Sequence, residues 1–292
     1  MTGIKRMAAM VALALLAGAS SADTTADADS IRAAYAALAR SEAPGGQQWF
    51  ELAQQARNAG VLDVSAEALA RAESAGFSPV RVSLEQARVQ VASGDAAAAV
   101  ASLQALVAAG FGNLPVVRDD PVFATLAGQP AYDQLIDGLT RQAYPCRYDE
   151  TFRDFDFWVG EWDVHLANGQ VAGSNRIASA ESGCVLIENW IGASGSTGMS
   201  VNYLDKATGE WVQVWNSEGG AQISIRGALT DEGMLLAGQI HYVGNGTTAP
   251  FRGLWTPLPD GRVRQFFEQS NDGGATWTPW FEGFYTRRSP PE

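Results

Sequence analysis

FDFWVGEWDV, residues 155–164, decides the fold of the second half of this chain. Phe155, Phe157 and Val159 alternate with Asp156, Trp158 and Gly160, and the period of two continues through Trp162 and Val164 to Asn168-Gly169, a strong hairpin turn. The spacing predicts a strand over the whole stretch. Bulky residues on both faces around a glycine are out of place on a one-sided surface sheet. They suit a chain entering a closed barrel, where one face looks into a lumen.

Downstream, strand-like runs recur about every ten residues, with turn chemistry between them. The turns are Asn168-Gly169, Ser182-Gly183, Ala207-Thr208-Gly209, Gly219-Gly220, Asp231-Glu232-Gly233, Gly244-Asn245-Gly246, Asp260-Gly261 and Asp272-Gly273-Gly274. About nine or ten short antiparallel strands follow from that spacing. Short connections without an intervening helix favour an up-and-down β-barrel, with a Greek-key sandwich as the alternative.

Four stretches carry a resemblance. FDFWVGEWDV, SNRIASAESGCVLIENW at 174–190, GMSVNYLDKATGEWVQVW at 198–215 and RGLWTPLPDGRVRQFFEQSNDGGATW at 252–277 together resemble a bacterial family of exported lipocalin-like, calycin-type domains. The resemblance spans 146–287 and implies an antiparallel barrel with a cavity, without supplying an activity or a catalytic residue. Gly160-Glu161-Trp162 is similar to the lipocalin Gly-x-Trp strand, which makes Trp162 an aromatic plug at one end, with ligand contact as the other reading. Of nine tryptophans, eight lie from Trp158 to Trp280, so the aromatic load belongs to this half.

Strand parity offers a ligand pocket. Trp211, Gln213 and Trp215 share a face, as do Ser200 and Asn202, and as do Glu188 and Trp190; Arg252 alternates with the face of Trp255, and Gln265 shares a side with Phe267. The candidate ligand-binding residues are therefore Glu188, Trp190, Asn202, Trp211, Gln213, Trp215, Arg252 and Trp255. Indoles would hold the body of a small apolar or amphipathic ligand, and the amides, acid and arginine one polar end. The competing reading leaves these polar groups on the wet face of the barrel.

Catalysis has weaker signals. Glu188, Glu268 and Glu282 are paired carboxylates only if distant strands bring them together. GASGSTG at 192–198 offers Ser194 and Ser196 without a nucleophile motif. His241 is the one position on which a haem reading could rest. No catalytic residue, metal or cofactor is expected, and the chain reads more readily as a binding or accessory protein than as an enzyme.

Before residue 144 the grammar changes. From Ser30 to Ala143 the chain is alanine-rich with helical spacing, as in Ile31, Tyr35 and Leu38. A shift of 34 residues superimposes Ala53 on Ala87, Gly60 on Gly94, Leu69 on Leu103 and Gly76-Phe77 on Gly110-Phe111. Unit length and the WFELAQQA start resemble the tetratricopeptide repeat, which implies helix–turn–helix pairs and a protein or peptide partner, or else a structural annex. The fold class is thus α + β in several domains: tetratricopeptide-like helices at 30–143, a linker at 144–153 and a lipocalin-like barrel at 154–288.

Lys5 and Arg6 precede an apolar run that ends in small residues at Ser20 and Ala22, which reads as a signal peptide over 1–22 and places the mature protein in the periplasm or outside the cell. No later run is apolar for long enough to span a membrane. Lys plus Arg number 20 against 32 Asp plus Glu, a balance that argues against nucleic acid as a partner. Only Cys146 and Cys184 are present. In an oxidising compartment they are expected to form one bridge, two separate buried thiols being the alternative.

Overall fold

A computed structural model describes residues 21–288. The signal segment expected at 1–22 lies outside the described residues but for its last two positions. The chain divides between Ala143 and Tyr144 into two compact units. No helix among the described residues is long and apolar enough to cross a membrane.

The first unit is helical: α1 (Ser21–Arg40), α2 (Gly46–Asn58), α3 (Leu62–Ser74), α4 (Pro79–Ala92), α5 (Ala96–Ala108), α6 (Leu114–Arg118) and α7 (Pro130–Ala143). The self-similarity of the sequence corresponds to two helix hairpins, α2–α3 and α4–α5, whose second helices begin 34 residues apart at Leu62 and Ala96. Each first helix ends on a glycine in the left-handed region, Gly60 at φ 73° and Gly94 at φ 82°, which a side chain adopts only at a cost. Ser78 and Asp95 cap α4 and α5 by accepting from the Arg81 and Ala98 amides. Ala53 and its counterpart Ala87 are both fully buried, so alanine here is what lets neighbouring helices approach closely. Glu85, also fully buried, receives Arg57 at 2.5 Å and Arg88 at 3.0 Å, and Arg88 reaches Asp120 at 2.8 Å. That network fixes α2 against α4, since a buried carboxylate without its partners would be strongly unfavourable.

The second unit opens with α8 (Pro145–Tyr148) and a short 3-10 turn at Glu150–Arg153, so the stretch read as a linker is itself structured. Ten strands follow: β1 (Gly160–His165), β2 (Val171–Ala180), β3 (Val185–Gly192), β4 (Thr197–Asp205), β5 (Glu210–Ser217), β6 (Ala221–Thr230), β7 (Gly233–Tyr242), β8 (Thr247–Pro257), β9 (Val263–Gln269) and β10 (Thr278–Arg287). Each pairs antiparallel with its sequence neighbours, and β1 pairs with β10 to close the barrel. This is an up-and-down barrel consistent with a lipocalin-like fold, and it leaves no exposed sheet edge. The sandwich alternative is excluded.

One expectation is corrected inside the decisive stretch. Residues 156–158 form a 3-10 turn, and the strand starts only at Gly160. Phe155 and Trp158 are three residues apart, the spacing that a 3-10 turn brings onto one side, and both are completely buried. Their rings stack at 5.0 Å, and Phe155 meets Trp211 and Trp255 edge-on at 5.7 and 5.3 Å. These rings fill one end of the barrel. Trp162 is buried beside them, its Nε1 donating to the Trp158 carbonyl at 2.9 Å, with the Arg287 guanidinium 4.4 Å from its ring centroid.

The turn that carries this plug is tied down twice. Cys146 and Cys184 form a disulfide. Arg153 Nη2 donates to the Gly183 carbonyl at 2.7 Å and to the Cys146 carbonyl at 3.3 Å. A bridge across a loop of about 39 residues is worth about 3 to 4 kcal/mol through the unfolded chain. Reduction, or the double substitution of Cys146 and Cys184 by Ala, is expected to lower unfolding free energy by about that amount in urea titration. Alkylation without reduction is expected to add no mass.

Candidate functional site

Because β-strand side chains alternate, the register decides what enters the lumen. On β3, Leu186 and Glu188 face in and are buried; on β4, Ser200 and Asn202; on β5, Trp211 and Gln213; on β9, Gln265 and Phe267; on β10, Gly283 and Tyr285. Beyond the aromatic floor, the lumen retains a cavity of about 130 Å³. Its walls are Trp190, Trp215, Ile223, Phe267, Trp280 and Phe281, and its polar groups are Glu188, Gln213, Gln265 and Tyr285.

Those polar groups belong to one hydrogen-bonded chain whose direction is set by a backbone carbonyl. Asn202 Nδ2 donates to the Leu186 carbonyl at 3.2 Å and to Ser200 Oγ at 2.8 Å. A carbonyl can only accept, so the Asn202 amide is fixed, and its Oδ1 accepts from Gln213 Nε2 at 2.9 Å. Ser200 Oγ, already an acceptor, gives its proton to Glu188 Oε2 at 2.6 Å. Asn175 Nδ2 donates to Glu188 Oε1 at 2.7 Å and to the Tyr285 hydroxyl at 3.2 Å, and Tyr285 donates to Gln265 Oε1. Glu188 accepts from both sides, from Ser200 and from Asn175, while the branch through Tyr285 ends on Gln265.

Electrostatics oppose that arrangement. Burial pushes the Glu188 carboxyl up to about 7, outweighing the Ser200 and Asn175 bonds that favour the anion. Burial, reinforced by the charge on Glu188, raises the Tyr285 hydroxyl well above its ordinary value and keeps it a neutral donor.

The expected ligand residues separate into four places. Glu188, Trp190, Gln213 and Trp215 line the cavity. Asn202 is buried behind it as a link in the chain, while Trp211 and Trp255 belong to the floor. Arg252 is a correction: it lies on the outer wall, paired with Glu268 at 2.7 Å and 4.3 Å from the Trp277 ring centroid. Phe251 and Trp255 point inward on β8, so Arg252 between them points out.

The carboxylate alternative is corrected in the same way. Glu268 and Glu282 are outside, paired with Arg252 and Arg264, and only Glu188 is within. His241 is likewise on the outer wall, its Nδ1 2.8 Å from Thr248 Oγ1. Among the described residues, no group of three or more His, Cys, Asp or Glu is placed to hold a metal ion.

Tyr285, Asn175, Phe281 and Trp280 escaped the sequence reading. The alternation of Phe281, Gly283 and Tyr285 was a signal for the first and third of these. Trp280 had none, because a register shift between Pro279 and Phe281 re-aims it over the cavity, where its Nε1 donates to Tyr242 at 2.9 Å. Space for Trp215 comes from Gly198: a Cβ there would lie 2.1 Å from the indole Cζ2.

No protein-family model matches the chain, and no curated protein does.

Two outcomes follow from the site's geometry. Glu188 holds its proton in the folded state at pH values where the unfolded chain has lost it, so stability is full below about 4.5 and falls as pH rises to about 7. The loss totals about 3 kcal/mol, and Glu188→Gln should abolish this component in denaturant titrations across pH. Gly198→Ala is expected to displace Trp215 and to destabilise the barrel by about 1 to 3 kcal/mol in the same assay.

Proposed function

We propose that this is an exported binding protein whose barrel holds one compact, mostly apolar ligand. The carrying observation is the cavity of about 130 Å³, walled by aromatic rings and bordered by four hydrogen-bonding side chains. A disulfide in the barrel unit agrees with an oxidising compartment. The reading as a lipocalin-like domain is supported by the closed meander, and a tetratricopeptide-like role in holding a protein or peptide by the two helix hairpins at a 34-residue offset.

Size limits the ligand. The cavity resembles the engineered space of about 150 Å³ that admits benzene, and is smaller than the roughly 300 Å³ of common drug sites. A ligand confined to that space, of about six heavy atoms at a ceiling near 1.5 kcal/mol each, binds with no more than about 9 kcal/mol. That corresponds to a Kd no tighter than about 0.1 to 1 μM.

Binding is favoured over carboxylate-pair catalysis because, among the described residues, Glu188 is the one acid lining the cavity. Native mass spectrometry of the full chain from its own host should show a small adduct. Its release and re-addition should change tryptophan fluorescence, and Trp215→Ala should weaken binding at least tenfold. An adduct whose affinity is indifferent to Trp215→Ala would place the site elsewhere.

A further inference from the structure

Resting on the reading of the cavity as a ligand site, we propose that its occupant is a compact organic cation, a protonated alkylamine whose ammonium meets Glu188 while its alkyl body lies among Trp190, Trp215, Phe267 and Phe281.

The hydrogen-bond directions are the first support. From the Leu186 carbonyl outward, each donor along Gln213, Asn202 and Ser200 is committed, and the last commits its proton to Glu188. Each Glu188 oxygen accepts one bond, from Asn175 or Ser200, out of the roughly four that a carboxylate can take. The site is therefore wired for an anion with acceptor capacity left over. A protonated Glu188 would find an acceptor only if Asn175 turned its unpartnered Oδ1 toward it, if Ser200 moved its own hydrogen elsewhere, or if the carboxyl hydrogen turned toward the cavity.

The second support is what faces this acid. Asn175 from β2, Ser200 and Asn202 from β4, Gln213 from β5 and Gln265 from β9 are neutral, and Tyr285 from β10 is the one other titratable group bonded into the chain. No lysine, arginine or histidine lines the cavity among the described residues. A buried carboxylate is normally paired. Where Glu188 ionises instead of holding its proton, the countercharge must come from outside the chain.

The third support is the wall. Trp190 and Phe281 meet edge-on at 6.0 Å, and Phe267 lies 6.4 Å from Phe281 and 6.2 Å from Trp280 at tilted angles. Aromatic rings carry π-electron density as well as apolar surface, so a wall of them suits a cation where a carboxylate ligand would be repelled by Glu188. The chain's net charge of −12 favours the approach of cations in the same sense.

Three probes of nearly one shape separate the possibilities on the full chain: tert-butylammonium, tert-butanol and pivalate, titrated while the tryptophan indole N–H signals are followed by NMR. The expected result is saturable binding of tert-butylammonium at least tenfold tighter than tert-butanol, and no binding of pivalate. Because an alkylammonium stays charged over the range, its affinity should rise roughly thirtyfold from pH 5.5 to 8 as the carboxyl, titrating at about 7, ionises. Glu188→Gln should remove both the preference and the pH dependence. Should that variant fail to fold, the wild-type comparison of the amine with its neutral isostere decides alone. Equal or tighter binding of tert-butanol or pivalate overturns the cation assignment and leaves the ligand cavity standing; silence from all three overturns both.

Discussion

The stack of Phe155 on Trp158 is the contact on which the barrel's interior depends. Ten strands enclose more space than their own inward side chains close, and an unfilled end would forfeit dispersion contacts along every strand. A 3-10 turn, delivered just before the first strand, supplies the missing volume. Because Phe155 then meets Trp211 and Trp255 edge-on, a residue outside the sheet locks strands from opposite parts of the chain into one floor. The disulfide and Arg153 hold the turn at the place where these contacts are available.

Closing one end that firmly makes the other end different. The floor is ring against ring, while the cavity side carries a polar chain reaching from Gln213 to Gln265 through Glu188. Burying Glu188 opposes folding at neutral pH, and a hydrophobic residue of similar size would relieve that penalty. Retaining an acid here makes physical sense if the penalty is offset when something binds. Polar groups on the outer wall behave otherwise: Arg252–Glu268 and Arg264–Glu282 join neighbouring strands in partial exposure, where such pairs contribute little to stability.

Much of the architecture was legible in the sequence, and for a local reason. Glycine-bearing turns every ten residues leave room for short strands and nothing else, and the 34-residue shift exposes the helix hairpins because each repeat must place the same small residues at the same close approach. Phe155–Val159 reads as a strand in the sequence because an alternating pattern of aromatics and acids fits a strand as well as it fits a single 3-10 turn. Periodicity over five residues does not separate these; what decides is whether a sheet neighbour exists to pair with them, and β1 has such partners only from Gly160.

By itself, then, the sequence determined which residues share a face, since parity is a property of one strand. It grouped Trp211 with Gln213 and set Arg252 opposite Trp255. Only the tertiary structure decided which of those faces is inside, how far along the barrel each residue lies, and that Asn175 and Tyr285, 110 positions apart, meet beside the same carboxyl. Those facts arise from register between strands and from closure of β1 on β10, and no short stretch of sequence contains them. Glu188 became a site, and Glu268 and Glu282 a surface, at that step.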